Sequence, residues 1–200
     1  MCSATLNTDK LEASMRVRFG AAGINRLHLW ENMLEANKSK NATEKINDIN
    51  NFFNSNIRFE EDIVNWKQTD YWATPLETLG TGAGDCEDYA IAKYFSLIQL
   101  GISAEHLRLI YVKAQIGGPT SRVFQAHMVL GYYPQTDSIP LILDSLVSTI
   151  ETADRRTDLK PVFSFNSDGL WVGGQIQQFD PTARLSRWRD VLERMKQEGF

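Results

Sequence analysis

Hydrophobic residues recur at helical spacing through the first quarter of the chain. Asn41 followed by Glu44 matches a capping box, in which two side chains close the start of a helix. Three apolar residues then fall on one helical face: Ile46, Ile49 and Phe53. The chain is therefore predicted to be helical up to about residue 53.

Residues 54–84 lack a sustained period, and we expect mostly loop with some helix within residues 60–67. The glycine-rich run at 80–84 resembles a phosphate-cradling loop that precedes a helix. No lysine follows it, and the acidic residues Asp85 and Asp88 would repel phosphate. The sequence therefore argues against nucleotide binding at this loop.

The clearest helical pattern covers residues 85–100. Asp85 is a favourable N-cap, Asp88 occupies the third helical position, and Gly101 is placed to end the helix. Apolar residues recur at steps of three and four: Ile91, Tyr94, Phe95 and Ile98. One face of this helix is therefore predicted to enter the core.

Short apolar runs replace the helical pattern in the second half of the chain. They predict strands, the last two weaker, at 107–113, 125–133, 140–144, 163–165 and 170–172. A last helix is predicted at 186–198, with its buried face formed by Trp188, Val191, Leu192 and Met195. Helices followed by antiparallel strands predict an α+β fold, and 200 residues fit a single domain spanning 1–200.

Composition is that of a soluble globular protein, with 42% hydrophobic and 23% charged residues. A formal net charge of −4 argues against a nucleic-acid partner, which would require a basic face. No apolar run is long enough to span a membrane, and the N-terminus lacks the basic and apolar regions of a signal peptide. Two cysteines, Cys2 and Cys86, are too few for a disulfide scaffold or a zinc cluster, and Cys2 is interpreted as an ordinary terminal residue.

Cys86, His127 and Asp144 are the candidate catalytic residues. Cys86 is predicted to begin a helix, where free N–H groups and the helix dipole favour a thiolate and can stabilise an oxyanion. His127 lies in a predicted strand as candidate base, and Asp144 ends the next strand, where a hairpin would place it beside the imidazole. Each residue alone also suits an ordinary structural role, and Asp137 is the first alternative for the third position.

The residues around Cys86 resemble the bacterial transglutaminase-like cysteine proteinases. The similarity rests on residues 70–77, DYWATPLE, on the glycine run 80–84, and most specifically on the segment GDCED at 84–88. It runs from about Ile57 to Asp144 and continues loosely through the last helix. It implies a papain-like or transglutaminase-like fold, with N-terminal helices and the catalytic helix packed on an antiparallel sheet. The triad of that family then corresponds to Cys86, His127 and Asp144.

The same resemblance implies a setting for the activity. Such proteases are periplasmic, bind calcium, and cleave the N-terminal region of a large cell-surface adhesin, which releases it and so controls biofilm attachment. They are inhibited by an inner-membrane receptor that responds to cyclic di-GMP. These are expectations from the resemblance alone.

Three carboxylates, those of Asp85, Glu87 and Asp88, surround Cys86 in the sequence. Negative neighbours oppose ionisation of a thiol, whereas a calcium ion would neutralise them and tie the preceding loop to the helix. Asp85 and Asp88 are also explained as solvent-facing helix caps, although Glu87 is not. The residues leave the two interpretations balanced, and the resemblance favours calcium.

Alternatives remain for one residue and for the reaction. Trp72 and Trp66 are most simply packing aromatics, but Trp72 could also wall the substrate cleft or donate its indole N–H to the oxyanion. The same catalytic residues suit a transglutaminase-like acyltransferase that uses an amine in place of water. A non-catalytic transglutaminase-fold binding module is the other alternative, although a protein that only binds has no chemical need for a cysteine, a histidine and an aspartate in this arrangement.

Overall fold

The first half of the chain is helical, as its pattern predicts. The structure, a computed structural model, describes residues 6–173, 175–177 and 185–200, so Cys2 lies outside the described residues. The helices before the sheet are α1 (Thr8–Asn37), α2 (Ala42–Asn56), α3 (Asp62–Asn65), α4 (Pro75–Thr81) and α5 (Cys86–Gln99). Helix α1 is kinked at Gly20, whose φ of 64° suits a residue without a Cβ. Within the described residues no helix is long and apolar enough to cross a membrane.

Local capping signals place the starts of α2 and α5 correctly. Asn41 and Glu44 close the start of α2 through reciprocal hydrogen bonds of 3.0 and 3.1 Å. Asp85 and Asp88 form the corresponding capping box on α5. Gly101, with a φ of 83°, follows its last turn. These predictions are confirmed.

Residues 54–84 hold more regular structure than their sequence pattern predicts. The expected helix within 60–67 is present as α3, and residues 66–74 are loop as expected, but the expectation of loop is wrong where β1, α4 and β2 form. Thr74 and Glu77 cap helix α4, and the expected glycine-rich loop is divided between the end of α4, Gly82 and strand β2 (Ala83–Gly84). Strand β1 (Arg58–Phe59) pairs with β2 in parallel, a contact between distant segments that no local pattern reveals.

Antiparallel strands form the second layer and confirm the α+β class. In spatial order the sheet runs β6-β5-β4-β3-β7-β8-β9. Its strands are β3 (Leu107–Ile116), β4 (Val123–Tyr132), β5 (Leu141–Leu143), β6 (Glu151–Thr152), β7 (Leu159–Phe165), β8 (Leu170–Val172) and β9 (Gln175–Gln177). The very short β6 and β9 were not expected. The last helix, α6 (Ser186–Glu198), matches its prediction, although Leu192 is only partly buried.

The core lies between the helices and one face of the sheet. Met128 and Leu130 on β4 are buried there with Ile91 of α5 in the main hydrophobic cluster. The opposite face carries a smaller cluster formed by Ile110, Val112, Val129 and Ile142. Because α5 packs on β4, the start of the helix comes close to the middle of that strand.

Glu77 joins three helices through buried charge. Its carboxylate forms ion pairs with Arg18 of α1 and Arg194 of α6, and it accepts a 2.9 Å hydrogen bond from the Tyr71 hydroxyl. Arg194 also donates to the backbone carbonyl of Trp72. With only 2% of its surface exposed, Glu77 is screened little by solvent.

We expect Glu77→Ala to lower the free energy of unfolding by about 3–5 kcal/mol, because it leaves two guanidinium groups without their shared buried partner. Urea denaturation measures the change. Glu193→Ala, on the exposed side of α6, is the matched control and should stay within about 0.5 kcal/mol of the parent protein. Equal stability of the two variants would contradict the role of Glu77.

Candidate active site

Cys86 is the first residue of α5, and its thiol is held in an acidic environment. The thiol donates a 2.7 Å hydrogen bond to Glu87 Oε2 rather than to His127, and the backbone N–H of Met128 on β4 faces the sulfur. Burial raises the pKa of the Cys86 thiol, and the negative charges of Glu87 and Asp85 raise it further. Without a compensating cation, this environment keeps the thiol protonated.

His127 and Asp144 form a buried pair, and His127 precedes Met128, the residue whose N–H faces the thiol. His127 Nε2 lies 2.7 Å from Asp144 Oδ1, and the two residues are 4% and 1% exposed. With Nε2 bound to the carboxylate, Nδ1 is the imidazole nitrogen that remains for proton transfer. Asp137 is exposed in the turn between β4 and β5, and the carboxylate on His127 is that of Asp144.

Asp144 is fixed in its ionised form by several donors. Arg156 Nη2 donates to Oδ2 at 2.7 Å, and the backbone N–H of Leu146 donates to Oδ1 at 2.9 Å. Burial raises the pKa of Asp144, but the hydrogen bonds from His127, Leu146 and Arg156 outweigh it and lower this pKa to about 2. No pattern in the sequence points to Arg156, which lies in an irregular segment after β6.

Lys93 of α5 holds the backbone of Asp144 in place through a hydrogen bond to its carbonyl. Its ammonium donates to the side-chain oxygens of Asn50 and Asn54, each at 2.8 Å, and to the Asp144 carbonyl at 3.1 Å. Burial lowers the pKa of Lys93 to about 7, while the nearby charge of Asp144 opposes that shift. Three acceptors match the three donors of an ammonium group, so the loop at Asp144 is tied to both α2 and α5.

A cluster of buried carboxylates lies on the other side of Cys86. Oxygens of Asp62, Asp85 and Asp88 lie within 4.8 Å of one another, and Asp85 and Glu87 form a second such group with the thiol. Asp88 caps α5 but is fully buried, which argues against the alternative that it merely faces solvent as a helix cap. Sequence reasoning missed Asp62, whose α3 is separated from α5 along the chain.

This cluster has the properties of a site for a hard divalent cation. Burial and mutual repulsion raise the pKa of Asp62 and Asp88, and raise that of Asp85 to about 9. Asp62 Oδ1 is buried and has no hydrogen-bond partner among the residues that the structure describes, while Asp88 accepts from the Ala73 N–H at 2.7 Å. A cation bound by carboxylate oxygens would pair the orphan oxygen and remove the repulsion.

Trp72 is a packing aromatic, as its simplest interpretation predicts. Its ring stacks on Phe165 at 5.8 Å between centroids, and only 8% of the residue is exposed. It also lines a cavity of about 370 Å³ together with Glu87, Tyr111 and Phe163. Because Glu87 borders this cavity, the cavity opens beside the Cys86 thiol and is the candidate substrate cleft.

The chain is similar to proteins of known family and structure. Residues 28–163 match the model of the bacterial transglutaminase-like cysteine proteinase family, BTLCP. The chain is 37% identical to Legionella pneumophila LapG, with a TM-score of 0.79 and coverage of 94% of this chain and 96% of that one. The calcium-bound form of LapG matches at 36% identity, with a TM-score of 0.79 and coverage of 94% and 98%. Comparison with curated protein sequences finds no match. The family model and the LapG similarity together show that this chain is a cysteine protease and belongs to the bacterial transglutaminase-like cysteine proteinase family.

Proposed function

We propose that the chain is a calcium-dependent cysteine endopeptidase with Cys86 as nucleophile, His127 as general base and Asp144 as the orienting acceptor. The observation that carries this proposal is the 2.7 Å contact between His127 and Asp144. His127 immediately precedes Met128, whose backbone N–H faces the Cys86 thiol. A nucleophile, a base and an orienting carboxylate are the groups that acyl transfer requires.

The proposed reaction passes through a thioester. Nδ1 of His127 takes the thiol proton as the thiol exchanges its hydrogen bond to Glu87 for one to the imidazole, and the sulfur attacks the scissile carbonyl carbon. The C–N bond then breaks as His127 passes this proton to the leaving amine nitrogen. Water attacks the thioester and gives its proton to His127, which returns it to the sulfur. The backbone N–H of Cys86 stabilises the oxyanion in both steps, since the Asp85 cap binds the N–H groups of Glu87 and Asp88 but not this one.

Asp62, Asp85, Glu87 and Asp88 would hold the calcium ion. Bound there, calcium supplies positive charge that offsets the carboxylates beside the thiol. The fit of the oxygen cluster supports this assignment, as does the calcium-bound form of LapG from Legionella pneumophila.

The substrate we propose is the N-terminal region of a large cell-surface adhesin, cut in the periplasm to release the adhesin and end biofilm attachment. An inner-membrane cyclic di-GMP receptor is the proposed inhibitor. Support for both comes from the GDCED segment at 84–88 and from 37% identity to LapG across nearly the whole chain.

The deciding experiment incubates the purified protein with the N-terminal region of a candidate adhesin, with and without a calcium chelator, and maps the cut. We expect one or a few cuts that chelation prevents and added calcium restores. An added amine should not appear in the product, which separates hydrolysis from acyl transfer. Incorporation of the amine, or an uncut substrate with calcium present, would contradict the proposal.

For the metal we expect Asp62→Asn to weaken calcium binding at least about tenfold in titration calorimetry, because it removes an anionic ligand. Calcium should also raise the melting temperature of the parent protein in a concentration-dependent way, and should raise that of the variant less. Glu61→Gln changes the exposed neighbour of Asp62 and is the matched control, with unchanged affinity expected. Equal calcium affinity of the two variants would remove Asp62 from the site.

A further inference from the structure

Strand β4 uses alternate residues to bond its neighbour β3. The backbone N–H of Tyr133 donates to the His106 carbonyl at 2.8 Å, which continues the β3–β4 register by one residue pair. In an antiparallel ladder every second residue exchanges hydrogen bonds with the same neighbour. On β4 these residues are Gly131, Val129, His127, Gln125 and Val123. The residues between them therefore direct their N–H and C=O groups to the opposite edge.

That opposite edge is only partly covered. Strand β5 pairs with Leu130–Tyr132 and no farther, and at Met128 the N–H faces the Cys86 thiol. Beyond this point, no described residue hydrogen bonds the outward N–H and C=O groups of Ala126 and Phe124. Residues 123–126 are also exposed. An open stretch of strand edge, which we call the open edge (Phe124 to Met128), thus leads directly to the proposed nucleophile.

We propose that the open edge is the docking strand for the polypeptide substrate. An extended segment of the substrate adds to the sheet beside β4, pairs with the outward groups of Ala126 and Phe124, and so carries its scissile carbonyl to Cys86. Main-chain pairing of this kind is a common way for proteins to bind extended peptides. The inference rests on the proposed protease function and deepens it.

The spacing of the strand suits this role. Successive outward-facing residues on a strand lie about 7 Å apart, so a substrate paired at Ala126 advances two residues to reach the level of Met128 and the thiol. Ala126 contributes only a methyl group next to His127, which leaves the edge accessible. The substrate is therefore read chiefly through its backbone, and its side chains are selected at alternate positions.

The composition of the open edge indicates that another polypeptide segment binds there. Proteins usually protect exposed strand edges with lysine, proline, a bulge or a covering segment. Residues 123–126 read Val-Phe-Gln-Ala, with neither charge nor proline, and they keep their regular register with β3. A substrate is favoured over a second copy of the chain because the open edge ends at the thiol and is continuous with the proposed active site.

The first test uses synthetic peptides that span the cut mapped in the adhesin region, each with one backbone nitrogen methylated. Cleavage should fall at every second methylated position on one side of the scissile bond, since only alternate N–H groups of an added strand face β4. Loss at all positions alike, or at none, would overturn the inference. Failure of the unmethylated peptide to be cut would instead overturn the protease proposal.

The second test uses Ala126→Pro, which removes one outward N–H without removing a donor to β3. We expect KM to rise about fivefold to tenfold while kcat changes less, since a substrate hydrogen bond is lost and the nucleophile is untouched. Ala126→Ser keeps the N–H and is the matched control, with near parental KM expected. Parental KM in Ala126→Pro, or a dimer in sedimentation that this variant dissociates without any change in KM, would exclude substrate docking at this edge.

Discussion

Cys86→Ala is expected to abolish proteolysis while the protein stays folded. The substitution removes the sulfur that forms the thioester, and no other described cysteine can replace it. The stability cost should be small compared with a core deletion, because the residue is small and only partly buried. The measurement is cleavage of the adhesin region at equal protein concentration, with the melting temperature recorded for both proteins.

A calcium titration of Cys86→Ala distinguishes loss of the nucleophile from loss of calcium binding. The thiol bonds Glu87 but is not among the proposed ligands, so calcium affinity should persist in the variant. Cleavage by Cys86→Ala at the parental rate would overturn the whole assignment. Loss of cleavage together with loss of folding would count only against the variant, and Cys86→Ser would then replace it.

Asp144→Asn is expected to lower kcat by about 10³–10⁴, and His127→Ala to leave almost no activity. An amide at position 144 can no longer fix the imidazole tautomer that presents Nδ1 as the base. Loss of His127 removes proton transfer from both acylation and deacylation. Rates on the mapped peptide, measured at saturating substrate, report both effects.

Asp158→Asn separates the role of Asp144 from that of its partner Arg156. Asp158 pairs with Arg156 at 2.8 Å, as Asp144 does at 2.7 Å, but it does not contact His127. We expect this variant to keep most of its kcat. Equal losses in Asp158→Asn and Asp144→Asn would show that the ion-pair network, and not the contact with His127, carries the effect.

The lowered pKa of Asp144 predicts how its contribution to folding stability depends on pH. Its pKa is lowered to about 2 in the folded protein, from about 3.9 in an unfolded chain. Its stabilising contribution is therefore complete above about pH 5 and is lost progressively as the pH falls from there through 2. Any loss of activity between pH 5 and 7 must come from other groups.

Local signals carried most of what the sequence could predict. The caps Asp85 and Asp88 defined α5 and placed Cys86 at its start. Adjacent strands with a short connection were enough to expect His127 beside Asp144, which the register of β4 and β5 explains. Helix α4 was missed although Thr74 and Glu77 form a capping box, because the following glycine run suggested a loop.

The supporting residues of the site could not be predicted, because their roles depend on contacts between distant segments. In the sequence, Lys93 looks like an ordinary polar residue of a helix. Its role becomes visible only in the fold, where its ammonium donates to Asn50 and to the Asp144 carbonyl. Asp62 joins the acidic cluster only through the fold of residues 62–88. Arg156 has no regular element around it to suggest a partner.

The ion pairs of Glu77 affect the order in which parts of the chain can fold. A chain synthesised as far as β9 already contains Cys86, His127 and Asp144, but it still lacks Arg194 of α6. Until α6 packs against α4, Glu77 lacks one of its cations and the carbonyl of Trp72 lacks its donor. We therefore expect the wall of the cleft to form only after α6 has docked, so that a chain truncated before α6 is inactive although it contains all three proposed catalytic residues.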